Sequence, residues 1–136
     1  MTDLEKAKDY FYSQKASMVL CKDDEKFITQ EKGLTPLINL IESGDDYFEY
    51  SACDKVVGRA AAFLYVLLGV KEIHAKIMAK LAIQILDKAE IKYSADEFVD
   101  TILDDQLKDT NPLEEVVLRS GSANNALRDL KAFLKL

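Results

Sequence analysis

Hydrophobic and polar positions along the chain follow two alternating patterns. Apolar residues spaced three and four apart, as at Leu4, Ala7 and Phe11, are typical of a helix with one buried face. Short runs of β-branched and aromatic residues between charged or turn-forming residues are typical of strands. In chain order, the patterns predict a helix over 4–12, strands over 17–21 and 26–29, a helix over 37–41, a strand over 47–52, a helix over 55–68, a strand over 71–77, a helix over 79–88 and a strand over 91–93.

The order of these elements favours an α/β fold. Strands alternate with helices from residue 47 onward, and helical crossovers make neighbouring strands parallel. Residues 60–68 are apolar on nearly all sides, so the helix over 55–68 is expected to pack against the sheet and other elements at once. We therefore predict a single domain over residues 1–136, a three-layer α/β/α sandwich around a mixed sheet of about five strands.

The signals weaken after the fifth predicted strand. Residues 95–107 are predicted to be helical, and residues 124–136 carry a last apolar helical repeat after a break at Gly121. Between them, Asn111 suits a helix N-cap and Pro112 suits the first helical turn. That explanation of the Asn111-Pro112 pair is structural and needs no ligand.

Composition narrows the class of protein. The 136 residues are 49% hydrophobic and 31% charged, as expected of a globular domain with a buried core. Acidic residues outnumber basic ones 24 to 18, and the net charge of -6 disfavours general nucleic-acid binding. The longest apolar stretch, residues 60–70, is too short for a membrane span, and the N-terminus lacks the pattern of a secretory signal. We expect a cytoplasmic protein without membrane association.

Metal and thiol chemistry receive little support. Cys21 and Cys53 are too few for a disulfide framework, and with a single histidine, His74, they cannot supply a zinc site of the usual spacing. No metal or cofactor is therefore expected, and His74 is interpreted as a satisfied core or surface residue. Cys53 precedes a predicted helix start and is a possible reactive thiol, although a buried inert thiol is the favoured interpretation.

The segment 53–62 holds the strongest candidate for function. In the predicted helix, Asp54 is the N-cap, and Lys55 and Arg59 share a face near the positive end of the dipole, where cations need a compensating anion. Gly58 between them would allow a backbone or ligand to approach closely. One interpretation is a site for a nucleotide or another phosphate-bearing ligand. The other is internal ion pairing to acids of the chain, with Gly58 packed against a strand.

Residues 54–62, D-K-V-V-G-R-A-A-A, resemble the D-K-V-V-G-K-A-A-A signature of an uncharacterised prokaryotic family, a domain of unknown function. Residues 33–37 are similar to its G-x-x-P-L segment and residues 111–114 to its C-P-x-E segment, so the resemblance spans almost the whole chain. It implies a cytidine-deaminase-like fold, and it makes a homodimer plausible because such domains often self-associate. Arg59 keeps the charge of the family lysine, whereas Asn111 replaces the family cysteine and removes any role for that thiol.

The resemblance does not imply deamination. Zinc deaminases carry a metal ligand and a catalytic glutamate at the start of the central helix, and two cysteines at the start of the next helix. Neither set of residues is present in this sequence, so similarity of fold does not carry the activity over. One possible function is a binding or regulatory module that holds a nucleotide or other phosphate-bearing ligand through Asp54, Lys55, Gly58 and Arg59. Alternatives are a metal-independent enzyme on a nucleotide-like substrate, with Cys53, Asp54 or Lys55 reactive, and a protein-interaction subunit without a small-molecule site.

Overall fold

Six helices and five strands are formed by residues 1–102 and 111–136, the part of the chain that the computed structural model describes. The helices are α1 (Asp3–Ser13), α2 (Thr35–Glu42), α3 (Arg59–Leu68), α4 (Lys80–Lys88), α5 (Pro112–Val116) and α6 (Ala123–Leu134). The strands are β1 (Met18–Lys22), β2 (Glu25–Thr29), β3 (Ser51–Val57), β4 (Glu72–Ala79) and β5 (Lys92–Val99).

The strands form one mixed sheet in the order β2-β1-β3-β4-β5. Strand β1 is antiparallel to β2 and to β3, whereas β3, β4 and β5 are parallel. The tight turn at Asp23, where φ is 54°, explains the first pairing, and crossovers through α3 and α4 explain the parallel ones. The carboxyl ends of the three parallel strands therefore meet at one edge of the sheet, next to the start of α3.

Helices cover both faces of this sheet. On one face, α1 packs against β1 and β3 and buries a small cluster that includes Ala7, Phe11 and Cys53. On the other face, α2, α3, α4 and α6 share the main core with the sheet. This arrangement confirms the predicted α/β/α sandwich around a five-stranded mixed sheet, whereas the cytidine-deaminase-like variant of that architecture stays a prediction.

Helix α3 lies at the centre of the main core, as its sequence predicts. Leu64 and Tyr65 are fully buried, and the helix contacts α2, α4 and α6. It ends at Gly69, whose φ of 85° is the left-handed conformation that glycine adopts without steric cost. Among the described residues, no helix has the length and hydropathy that crossing a bilayer would require.

Three predicted boundaries are wrong. The third strand begins at Ser51 and not at residue 47. The third strand extends over Ser51–Val57 and α3 begins at Arg59, because residues 54–57 pair in parallel register with β4 and the β-branched Val56 and Val57 favour a strand. The fifth strand continues through Val99 and residues 100–102 are not helical, so the helix predicted over 95–107 is wrong for residues 95–102. Residues 103–107 of that prediction lie outside the described part of the chain.

Candidate functional site

A cleft of about 520 Å³ opens at the sheet edge where β3 ends and α3 begins. Because β1 is antiparallel to β3, the start of β1 and the segment after β2 reach the same edge. The cleft has apolar walls and several polar groups, a combination that is typical of small-molecule sites. Its apolar walls include Met18, Leu34, Leu37, Ala60, Ala61 and Leu113.

Three of the four predicted ligand-binding residues line this cleft, namely Asp54, Lys55 and Gly58. Arg59 does not line it, since its guanidinium Nη2 lies 3.5 Å from the carbonyl oxygen of Leu118. Lys55 lies in β3 and Arg59 in α3, so the two cations do not share a helix face. The predicted pairing of their charges beside the helix start is therefore not formed.

Glu114 occupies the N-terminus of α3. Its Oε1 accepts a hydrogen bond from the backbone N–H of Arg59 at 2.7 Å, and its Oε2 accepts one from Ala60 at 2.8 Å. The carboxylate satisfies two of the free amides of the first turn and lies at the positive end of the helix dipole. The predicted N-cap, Asp54, is wrong: Gly58 takes that position without a side chain, and Glu114 supplies the anion.

Gly58 is required by the position of Glu114. A Cβ atom added to Gly58 would lie 2.1 Å from Oε1 of Glu114 and 2.5 Å from its Cδ. The backbone of Gly58 is extended, with φ of -103°, so the conformation itself is open to other residues. The close approach expected at Gly58 is thus real, and its partner is a side chain of the same protein.

Helix α5 holds Glu114 in place. Asn111 caps this helix as predicted, since its Oδ1 accepts a hydrogen bond from the N–H of Leu113 at 2.9 Å, and Pro112 lies in the first turn. Sequence reasoning missed the role of Glu114 because a glutamate in a first helical turn is explained by its own helix dipole. The one signal for it was its place in the third family-like segment, residues 111–114.

Among the described residues that line the cleft, Asp54 is the titratable group with the most perturbed environment. It lies on the α3 side of β3, where Oδ2 accepts a hydrogen bond from the Tyr65 hydroxyl at 2.5 Å and Oδ1 accepts one from the Lys55 N–H at 2.6 Å. Burial raises the pKa of Asp54 to about 6, although these hydrogen bonds act in the opposite direction. Burial also raises the pKa of Tyr65 well above its usual value, so Tyr65 remains a donor. The partly exposed carboxyl can therefore change protonation state near neutral pH.

Two exposed lysines lie at the rim of the cleft. Lys32 follows β2, and Lys55 projects from the opposite face of β3 to Asp54 because strand side chains alternate. Neither lysine forms an ion pair with another described residue. Lys32 carried no signal in the sequence because it lies in a polar connection, and only the fold brings it to the cleft.

Cys53 is separated from the cleft. Its side chain is fully buried beneath α1, and burial raises the pKa of its thiol to about 12. A reactive cysteine needs a lowered pKa and solvent access, so this position favours the inert-thiol interpretation. The helix start that was expected to activate Cys53 begins only at Arg59.

The fold and the sequence are similar to those of proteins without an assigned function. The family model for a domain of unknown function, DUF1893, matches residues 6–134. The crystal structure of TM1506, a DUF1893 family protein from Thermotoga maritima, has 25% sequence identity to this chain. The two superpose with a TM-score of 0.87 over 100% of this chain and 92% of that one. No curated protein matches the chain.

Proposed function

This chain belongs to the DUF1893 family of unknown function, and on that premise we propose that it binds a small molecule in the cleft beside α3. The observation that carries the proposal is the Asp54 carboxyl, held by Tyr65 at the wall of a cleft with apolar sides. A volume of about 520 Å³ falls inside the range of about 300–1,000 Å³ that is common for ligand sites.

The chemistry of the walls favours a nucleoside-like ligand. The Asp54 carboxylate accepts hydrogen bonds, so it suits the N–H groups of a base, and the apolar walls suit a flat ring. Lys32 and Lys55 at the rim suit a phosphate. In this arrangement the phosphate binds at the rim instead of at the α3 amides, because Glu114 already occupies those amides.

The proposal keeps the wider expectations from the family resemblance. We expect a cytidine-deaminase-like fold without zinc and a role as a binding or regulatory module. We also expect the protein to be cytoplasmic and able to form a homodimer. The strand order and the position of the cleft at the start of the central helix support this likeness. Because function resides in the site and not in the scaffold, the nucleoside-like ligand rests mainly on the chemistry of Asp54 and the rim.

A second candidate function is a metal-independent enzyme that moves a proton. It is favoured by the raised pKa of Asp54, about 6, because a carboxyl that titrates near neutral pH is suited to general acid–base catalysis. Activity on a bound nucleoside that follows the protonation of Asp54 and is lost in Asp54→Asn would favour this enzyme. Binding without turnover would leave the binding module as the function.

Thermal unfolding with a defined panel of probes tests the proposal. We expect cytidine, adenosine or their 5′-monophosphates to stabilise the parent protein, by about 2.7 kcal/mol when the probe is at 100 times its Kd. Asp54→Asn should weaken binding of nucleosides and nucleotides alike, whereas Lys32→Ala with Lys55→Ala should weaken only the nucleotides. Lys92→Ala, an exposed lysine outside the cleft, is the matched control. An unchanged melting temperature with every probe would refute the proposal.

A further inference from the structure

A second cluster of polar side chains lies on the opposite face of the sheet from the main core. Register pairs His74 of β4 with Ser94 of β5, and Asp96 follows on the same face two residues later. The hydroxyl of Tyr12, near the end of α1, donates a hydrogen bond to the carboxylate of Asp96. The cluster is distinct from the cleft, because none of these four residues lines it.

The hydrogen bonds of this cluster have a defined direction. His74 Nε2 lies 3.0 Å from Asp96 Oδ1, and His74 Nδ1 lies 2.7 Å from Ser94 Oγ. The hydrogen bond from Tyr12 lowers the pKa of Asp96, so Asp96 is an ionised acceptor and Nε2 of His74 carries the proton. Nδ1 then presents its lone pair, and the Ser94 hydroxyl must donate its proton to it.

The surroundings keep His74 neutral. Burial and the positive charge of Lys8 both lower the pKa of His74, and these effects outweigh the opposing effect of Asp96. A neutral imidazole is the form that can accept a proton from a hydroxyl. The groups that face His74 are Ser94 and Asp96 from β5, Cys53 from β3, and Lys8 and Tyr12 from α1.

Ser94 can be reached from solvent although its partner is shielded. The His74 side chain is only 4% exposed, whereas the Asp96 side chain is 49% exposed and Ser94 is exposed. Helix α1 packs over β1, β3 and part of β4, and this leaves the face of β5 at Ser94 open. A reagent can therefore approach the hydroxyl oxygen while the imidazole stays out of water.

We propose that Ser94 is the nucleophile of a second site, with His74 as its general base and Asp96 as the positioning residue. The arrangement has the roles of a Ser-His-Asp triad, with the two imidazole nitrogens exchanged. Ser94 Oγ forms a bond to the acyl carbon of an ester while its proton moves to His74 Nδ1. The bond to the leaving group breaks, and the leaving group takes that proton. Water then hydrolyses the acyl-serine with His74 again as base.

The open face defines the class of substrate. The positive charge of Lys8 acts on both His74 and Asp96, so we expect it also to attract the negative charge that develops on the oxyanion at Ser94. Because a good leaving group lowers the demand for oxyanion stabilisation, we expect aryl esters or thioesters to react and simple alkyl esters to remain unchanged.

Acylation of the full chain by p-nitrophenyl acetate tests this proposal without any knowledge of the ligand in the cleft. We expect release of p-nitrophenol with a mass increase of one acetyl group, mapped to Ser94 by peptide analysis. Ser94→Ala should abolish this labelling, whereas Ser13→Ala, an exposed serine at the end of α1, should not change it. The proposal would be overturned if p-nitrophenol release and labelling were both absent, if either persisted at the parent level in Ser94→Ala, or if the label mapped only to lysines.

The pH dependence separates catalysis from a structural role. Acylation of Ser94 should rise with pH as His74 loses its proton, with an inflection below the ordinary imidazole pKa of 6.5. Asp96→Asn can still accept from Nε2 but lacks the charge, so it should slow acylation at least about tenfold while the protein stays folded. A rate without this inflection, or one unchanged in Asp96→Asn, would mean that the cluster only stabilises the fold. His74→Asn should slow acylation further, and circular dichroism confirms that each variant is folded.

Discussion

Substitution of Gly58 by alanine should destabilise the protein through Glu114 alone. The added methyl group would lie 2.1 Å from Oε1 of Glu114, so the carboxylate must leave the amides of Arg59 and Ala60. Hydrogen bonds to a charged group contribute about 1.5–3 kcal/mol each. Because the cleft allows water to replace part of this interaction, we expect Gly58→Ala to lower the free energy of unfolding by about 2–4 kcal/mol.

A double-mutant cycle isolates the cause. Glu114→Ala removes the same two hydrogen bonds and also removes the atoms that clash with a side chain at position 58. Gly58→Ala should therefore have almost no further effect in the Glu114→Ala background, and the coupling energy should be at least about 1.5 kcal/mol. Urea unfolding followed by circular dichroism measures each variant. Additive losses, or a Gly58→Ala protein as stable as the parent, would refute the role of Glu114 as the cap of α3.

Three further predictions concern Asp54, Arg59 and Cys53. Since the pKa of Asp54 is raised from 3.8 to about 6, the folded state binds more protons than the unfolded state in this range, so stability should fall as pH rises from about 4 to about 6 and then level off. The fall is at most about 3 kcal/mol, and Asp54→Asn should remove it in urea unfolding at several pH values. Arg59→Ala should leave the ligand-induced rise in melting temperature intact, because Arg59 is outside the cleft. Loss of this rise in Arg59→Ala would show that Arg59 contributes to ligand binding. Cys53 should resist a thiol reagent in the native protein and react on unfolding, and rapid native labelling would contradict its burial.

Local patterns were sufficient for the architecture but not for the start of the central helix. The alanine run at 60–62 extends a helical pattern backwards through residues 55–58, although Val56 and Val57 favour a strand and Gly58 weakens a helix. Pairing of residues 54–57 with β4 decides the outcome, and this pairing is a tertiary effect. The shift of four residues moved Asp54 from a cap to the wall of the cleft and separated Lys55 from Arg59.

The candidate site was predicted in part for the same reason. Gly58 indicated a close approach correctly because the signal, a glycine beside a helix start, is local. The side chain that approaches Gly58 belongs to Glu114. Glu114 lies 55 residues after Arg59 along the chain, and only the fold brings it to the start of α3. Sequence periodicity carries no information about such a contact.

The cluster around His74 was hidden by an error in secondary structure. A satisfied histidine was predicted, and the structure supplies the partners, Ser94 and Asp96. Both project from the same face of β5 because strand side chains alternate. The predicted helix from residue 95 onward would have placed Ser94 and Asp96 on different sides of the chain. Their arrangement could be recognised only once both residues were known to lie in β5.

The binding of a nucleoside-like molecule beside Asp54 is tested most directly by nuclear magnetic resonance of the labelled chain. During titration with cytidine 5′-monophosphate and adenosine 5′-monophosphate, the amide signals of Lys55, Gly58 and Leu113 should shift in a saturable manner, while those of β5 stay unchanged. No saturable shift with either nucleotide, or shifts that cluster away from the start of α3, would contradict a ligand site in this cleft.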